Sequence, residues 1–264
     1  MKTIYFKFMI GSIASLLCFA FSGMVIAQVD YIAHRGASYI APENTVISAK
    51  LAWQQDVDAV ELDIHLSKDK KLMVIHDGNT KRTSGYDFQV KETNSKILRK
   101  LDVGSFKDEK YKGEKIPFLN EIIETVPLGK KLVIELKSGG DVLPELKKVI
   151  KQCGKQSQMI FICFDMQTIL KAKQMFPKIP GYWLCGNKEE LVKNIKTIAD
   201  SGLQGVDLNY SIIDEQVMEL ARNLNLDVIA YTVNDPAIAK NLLGFGVKGI
   251  TTDRAEWLKK QVNN

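Results

Sequence analysis

All three histidines of this 264-residue chain fall between positions 34 and 76. They occur as His34-Arg35-Gly36, His65 and His76-Asp77, with Glu61-Leu62-Asp63 between the first two. Imidazoles move protons near neutral pH, carboxylates at i and i+2 can hold a hard cation, and a guanidinium can clamp a phosphate through parallel hydrogen bonds. The chemistry such a set could carry is metal-assisted, acid/base cleavage of a phosphodiester. Each motif alone is unspecific; the set in this order is not.

Those side chains must be brought together by the elements around them. Val60, Leu62, Ile64 and Leu66 alternate with Glu61, Asp63, His65 and Ser67, so a strand here turns its apolar set to covering helices and both carboxylates inward. Two bare carboxylates buried there would each cost several kcal/mol, and a cation offsets that cost. Glu135 and Lys137 repeat the pattern against Leu132, Ile134 and Leu136, making Glu135 a third oxygen ligand with Lys137 beside it. For His76, the polar turn Ser67–Lys71 predicts a hairpin of Ala59–Leu66 with Leu72–Ile75. Centred on Lys68-Asp69, it sets His76 opposite Glu61 and sends His65 toward an exposed tip.

Eight β-like runs follow Asp30: Tyr31–His34, Ala59–Leu66, Lys131–Lys137, Met159–Phe164, Gly181–Cys185, Gly205–Asn209, Asp227–Val233 and Gly249–Thr252. Amphipathic stretches separate them, among them 44–55, 143–151, 166–176, 189–201, 215–224 and 236–243. The alternation predicts an α/β protein, a (β/α)8 TIM barrel with a small insertion after the second strand, at about residues 78–116. Charged residues gather at the strand ends, where such barrels do chemistry: His34-Arg35, Glu61/Asp63, Glu135/Lys137 and Asp207/Asn209, with Tyr231 nearby.

Lys2 and Lys7 precede an uncharged stretch from Phe8 to Val29 that contains Val25-Ile26-Ala27. Residues 1–27 therefore read as an export signal cleaved after Ala27, leaving 28–264 as one domain in the periplasm or secreted; an uncleaved membrane anchor is the runner-up. Leu17 before Cys18 argues against lipidation. Without Lys2 and Lys7, 34 basic residues face 31 acidic ones, a net charge of +3 that is too small to argue for a nucleic-acid partner. No stable membrane association is expected after signal cleavage. Cys153, Cys163 and Cys185 lack metal-site spacing and could form at most one disulfide; Cys163, in the apolar run 159–164, reads as a buried structural thiol.

His34-Arg35-Gly36, Pro42-Glu43-Asn44-Thr45, Glu61-Leu62-Asp63, His76-Asp77, Ile116-Pro117 and Glu135-Leu136-Lys137 together resemble the glycerophosphodiester phosphodiesterase family, across essentially the whole mature chain. The resemblance implies a (β/α)8 barrel hydrolysing small glycerophosphodiesters to an alcohol and glycerol 3-phosphate with one divalent cation, Ca²⁺ or Mg²⁺. It implies that Glu61, Asp63 and Glu135 hold the metal, His34 and His76 are the acid/base pair (His34 assigned as base), and Arg35 and Lys137 bind phosphate. Similarity to phosphatidylinositol-specific phospholipases favours attack by a neighbouring hydroxyl through a cyclic phosphate. Tyr231-Thr232-Val233-Asn234 stands where relatives commonly carry a tryptophan, which would alter the leaving-group pocket. Tyr231 and Trp183 are aromatic candidates to stack on substrate. Glu43 is read either as first-turn chemistry of the next helix or as a group orienting a histidine. The competing readings are a zinc site using the histidines, a related phospholipase acting on intact lipid, and an exported, non-catalytic phosphodiester-binding protein.

Overall fold

The computed structural model describes Met1 and residues 29–263; apart from Met1, the export signal and its cleavage point after Ala27 lie outside the described residues. Short apolar runs become the strands β1 (Asp30–Ala33), β2 (Ala59–Leu66), β3 (Leu72–Val74), β4 (Lys131–Leu136), β5 (Met159–Cys163), β6 (Gly181–Cys185), β7 (Gly205–Asn209), β8 (Asp227–Tyr231) and β9 (Gly249–Thr252). All but β3 pair in parallel, in the order β1-β9-β8-β7-β6-β5-β4-β2, and β2 closes back on β1. This is the eight-stranded barrel that the alternation predicts.

Helices α1 (Val46–Gln54), α2 (Lys81–Ser84), α3 (Ser95–Leu98), α4 (Leu119–Thr125), α5 (Leu143–Cys153), α6 (Met166–Met175), α7 (Lys188–Asp200), α8 (Glu215–Asn223), α9 (Pro236–Phe245) and α10 (Ala255–Asn263) complete the chain. All except the short α2 and α3 each follow a barrel strand. Asp165, Asn187, Asp214 and Asp235 accept amide hydrogen bonds at the starts of α6, α7, α8 and α9, each cap contributing about 1 kcal/mol. The alternation inside each strand decides which side faces what. Val60, Leu62 and Ile64 pack outward with Leu132, Ile134, Val206 and Leu208 beneath the helices, whereas Ala59, Val133, Ile162, Leu184 and Ile229 fill the barrel interior.

The hairpin register differs from the sequence reading by one residue. Ile64 pairs with Val74, His65 with Met73 and Leu66 with Leu72, because the turn is centred on Asp69 rather than between Lys68 and Asp69. The Asp69 carboxylate accepts from the Ser95 amide and hydroxyl, each at 2.7 Å, and Lys70 takes a left-handed backbone with φ 59°. The ladder ends where the Ile75 amide meets the Asp63 carbonyl at 3.1 Å. His76 is therefore not paired opposite Glu61; it leaves the sheet and turns into the mouth. The following segment has its own small core of Met73, Ile75, Val90, Leu98 and Ile116.

Candidate active site

The mouth is assembled at the carboxyl ends of the strands. Immediately after β1 the chain reverses through two left-handed residues, Arg35 (φ 54°) and Gly36 (φ 80°). A β-carbon at Gly36 would lie 2.4 Å from the Ser48 hydroxyl and 2.8 Å from its backbone carbon, so only glycine fits this close approach to α1. The reversal aims the Arg35 amide at Glu61 Oε2, 2.9 Å away, and lays its side chain over the carboxylates, with Nε 3.6 Å from Asp63 Oδ2.

Inward-facing positions of β2 and β4 bring one oxygen each of Glu61, Asp63 and Glu135 within 4.8 Å of one another. These residues are 2%, 1% and 8% exposed. Lys137, one residue past β4, places Nζ 2.9 Å from Glu135 Oε1 and 3.4 Å from Asp63 Oδ1. Asn44 donates to Asp63 Oδ2 at 2.8 Å and accepts from the Asp63 amide at 3.1 Å. Burial, then the charges of Asp63 and Glu135, push the Glu61 carboxyl well above its ordinary range; burial and Asp63 push Glu135 up to about 7. Burial also works against Asp63, but Lys137 and Arg35 outweigh it and hold its pKa below the ordinary value. Three buried carboxylates thus meet two cations, an imbalance that a hard divalent ion could offset, since the donor set is all oxygen.

The two candidate histidines stand beside this cluster, each backed by a carboxylate. His34 Nδ1 lies 2.7 Å from Asp253 Oδ1, and Asn234 donates to the other Asp253 oxygen at 2.6 Å. His76 Nδ1 lies 2.8 Å from Asp77 Oδ1. Arg82 of α2 bonds Asp77 through Nε at 2.7 Å and Glu43 through both terminal nitrogens, at 2.7 and 2.8 Å. Burial, partly opposed by Asp63 and Asp77, lowers the pKa of His76.

All eight residues expected from the sequence converge here. Seven of them, His34, Arg35, Glu61, His76, Glu135, Lys137 and Tyr231, line a single cavity of about 180 Å³, and Asp63 completes the carboxylate cluster. Tyr231 forms part of the far wall, its ring edge-on to Phe164 at 5.9 Å between centroids.

Three other expectations need correction. His65 is not exposed at a hairpin tip: its Nε2 lies 3.0 Å from the His76 carbonyl and its Nδ1 3.2 Å from the Ser138 hydroxyl, so it braces the loop that carries His76. Trp183 cannot stack on a ligand, because it is 1% exposed and packs outward among the helices, with Nε1 donating to the Phe164 carbonyl at 3.0 Å. Glu43 neither caps α1, whose cap is the Thr45 hydroxyl, nor contacts a histidine; it joins Arg35 to Arg82. Among the described residues all three cysteines are free, and the Cys163 thiol is buried against the Leu136 carbonyl at 3.1 Å.

Sequence reasoning left out Asp253 and Arg82, and quoted Asn44 and Asn234 only within motifs, without a role at the site. It noted Asp207 at a strand end without giving it a role. The available signals were weak: Asp253 directly follows the last strand, and Asn44 stands next to Glu43.

A sequence model described as the glycerophosphoryl diester phosphodiesterase family matches residues 34–257. The chain is 33% identical over 234 residues to a glycerophosphodiester phosphodiesterase of Caldanaerobacter subterraneus, covering 86% of this chain and 95% of the relative. It is 30% identical over 253 residues to a glycerophosphodiester phosphodiesterase of Bacillus subtilis, covering 87% and 85%. Among solved structures, an Oleispira antarctica phosphodiesterase in complex with the product sn-glycerol-3-phosphate superposes with a TM-score of 0.84 at 29% identity, over 89% of this chain and 97% of that one.

Proposed function

The chain belongs to the glycerophosphoryl diester phosphodiesterase family, and we propose that it hydrolyses small glycerophosphodiesters to an alcohol and glycerol 3-phosphate with one divalent cation, Ca²⁺ or Mg²⁺, and a histidine acid/base pair. The observation that carries this reading is the buried cluster of Glu61, Asp63 and Glu135, under-compensated by Arg35 and Lys137 and flanked by two carboxylate-backed histidines. A hard divalent cation suits this donor set and, when bound, supplies positive charge to the phosphoryl oxygens.

The chain's own residues do the rest. Arg35 spends one terminal nitrogen on Glu43, and its buried Nε has no hydrogen-bond partner, so donors remain for a phosphoryl oxygen. Lys137 adds a second charge, and both meet negative charge as it builds in the transition state. A base must enter neutral, and burial favours neutral His76 at pH 7. We therefore assign His76 to remove the proton from water or a neighbouring hydroxyl and His34 to protonate the departing alkoxide, reversing the order first read from the sequence. The Asp253 bond to Nδ1 leaves the other nitrogen of His34 for the leaving group.

A cavity of about 180 Å³ falls below the roughly 300–1,000 Å³ of sites built for larger ligands, which favours a deacylated headgroup over an intact lipid. Among the described residues no helix is long and apolar enough to cross a membrane. Export to the periplasm or medium rests on the charge and apolar pattern of residues 1–27; the mass of the mature amino terminus tests it. For the activity, the protein is incubated with glycerophosphocholine, with chelator and with Ca²⁺ or Mg²⁺ restored, and glycerol 3-phosphate is measured. Cation-dependent release by wild type and its loss in His34→Ala are expected; equal release by both, or restoration by Zn²⁺ alone, would overturn the reading.

A further inference from the structure

Asp207 is the acidic side chain in the mouth that the chemistry above leaves unused. Val206 and Leu208 pack outward beneath the helices, so the strand's alternation turns Asp207 inward. The register sets it between Leu184 of β6 and Ile229 of β8. Both neighbours are apolar and inward-facing, so neither flanking side chain can donate to it. The residue is 1% exposed, and its Oδ1 is buried without a hydrogen-bond partner.

A buried polar atom left unpaired costs free energy, and such atoms in a folded protein call for a reason. Here the carboxyl lines the same cavity as Arg35, Glu61 and Lys137. In the closed strand order β7 stands directly across the barrel from β2, so Asp207 and the carboxylate cluster occupy opposite walls. A diester whose phosphate rested on Arg35 and Lys137 would have the far wall of the same cavity within the reach of one arm. Ile162 and Leu184 offer that arm an apolar flank, leaving Asp207 to meet a polar group at its end.

We propose that Asp207 is the specificity-determining residue for the glyceryl arm, exchanging a hydrogen bond with a free hydroxyl of the substrate and of the glycerol 3-phosphate product. This inference rests on the reaction proposed above. Burial and the charge of Glu135 raise the Asp207 pKa well above its ordinary value, which favours a protonated carboxyl. That group both donates and accepts, as an alcohol hydroxyl does. A site built in this way rejects analogues that lack the hydroxyl, because its own buried group is then left unpaired.

Binding separates this idea from turnover. Calorimetric titration with Mg²⁺ present compares glycerol 3-phosphate with n-propyl phosphate, which has the same chain length and no hydroxyl, for wild type, Asp207→Asn and Asp207→Leu. Wild type is expected to prefer glycerol 3-phosphate, which carries two free hydroxyls, and Asp207 to supply about tenfold of that preference, the worth of one good hydrogen bond. Asp207→Leu should lose that share, and Asp207→Asn, whose amide also donates and accepts, should keep part of it. The inference is overturned if wild type shows no preference or if folded Asp207→Leu retains it in full. A preference appearing only for amine-bearing diesters such as glycerophosphoethanolamine would also overturn it, assigning Asp207 to a cationic headgroup. Should wild type bind with the expected preference yet fail to cleave glycerophosphocholine, the reaction fails and the hydroxyl contact stands.

Discussion

The two ends of the barrel carry similar residues in opposite circumstances. At the amino-terminal end, Asp58 accepts from the Tyr31 amide at 2.9 Å and Asp227 from the Tyr182 hydroxyl at 3.2 Å, while burial, only partly opposed by Lys248 and Lys131, raises the Asp30 pKa. The opening there is the larger one, about 600 Å³ against about 180 Å³ at the mouth. What distinguishes the mouth is how deeply its carboxyls are buried, Glu61 and Glu135 being pushed toward protonation, and that Arg35 Nε and Asp207 Oδ1 are buried without a hydrogen-bond partner. Carboxylates at one end bond to groups of neighbouring strands, while those at the other are buried beside polar atoms still unpaired, as groups of a binding site commonly are.

The sharpest way to break that contrast is Glu61→Gln. Loss of one oxygen of the proposed cation site should cut kcat/KM for glycerophosphocholine by about 10³-fold or more. In chelator the same variant should melt at a higher temperature than wild type, because one of three mutually repelling buried carboxylates is gone. A fall in both activity and chelated Tm would mean that the cluster is an ordinary structural network.

Next in size is His76→Ala, expected to lower kcat by about 10²–10⁴-fold. The wild-type pH profile carries a sign that can be checked. Because the folded protein lowers the His76 pKa from 6.5, the neutral base persists at pH 6.5, and kcat/KM should fall only as pH drops through a value below that. An acid limb above pH 6.5 would remove His76 from the role of base.

Arg82→Ala should be smaller still, at about 10–100-fold in kcat, since Arg82 acts through Asp77 on His76 and through Glu43 on Arg35. Rescue by Arg82→Lys should be partial, because one ammonium cannot reproduce the planar, two-sided contact. Asp77 is held down to about 2, first by its bond from Arg82. The stability of that pair is fully present above the ordinary Asp value of 3.8 and is lost as pH falls toward 2. The stability gap between wild type and Arg82→Ala should therefore narrow across that interval; a gap constant with pH would assign the effect to packing.

These comparisons also mark how far the sequence could be read. Alternation along β2 and β4 is local, and so it correctly turned Glu61, Asp63 and Glu135 inward. Register is less local. It depended on Asp69 being captured by Ser95, a residue 26 positions on, which shifted the register by one residue and took His76 out of the ladder. The partners of the catalytic candidates were still less accessible. Asp253 reaches His34 across 219 residues, and Arg82 reaches Glu43 across 39; chain closure makes these contacts, and no periodicity announces them. Asp207 was visible as a carboxyl at a strand end, but its isolation follows from Leu184 and Ile229 on neighbouring strands.

The smallest expected effect tests the quiet end of the barrel. Asp58 joins three strands: its carboxylate takes the Tyr31 amide of β1, its own amide meets the Tyr31 carbonyl at 3.1 Å, and its carbonyl accepts from the Lys131 amide of β4 at 3.2 Å. Asp58→Ala removes only the carboxylate bond and leaves the Tyr31 amide to find water, at about 1 kcal/mol, or roughly 2–4 °C in Tm for a domain of this size. Turnover of glycerophosphocholine at temperatures well below melting should stay at the wild-type level. This is the inverse of Glu61→Gln, in which activity falls and chelated stability rises. If Asp58→Ala lost activity while its melting held, the two ends would be coupled through the strands and the division of labour between them would fail.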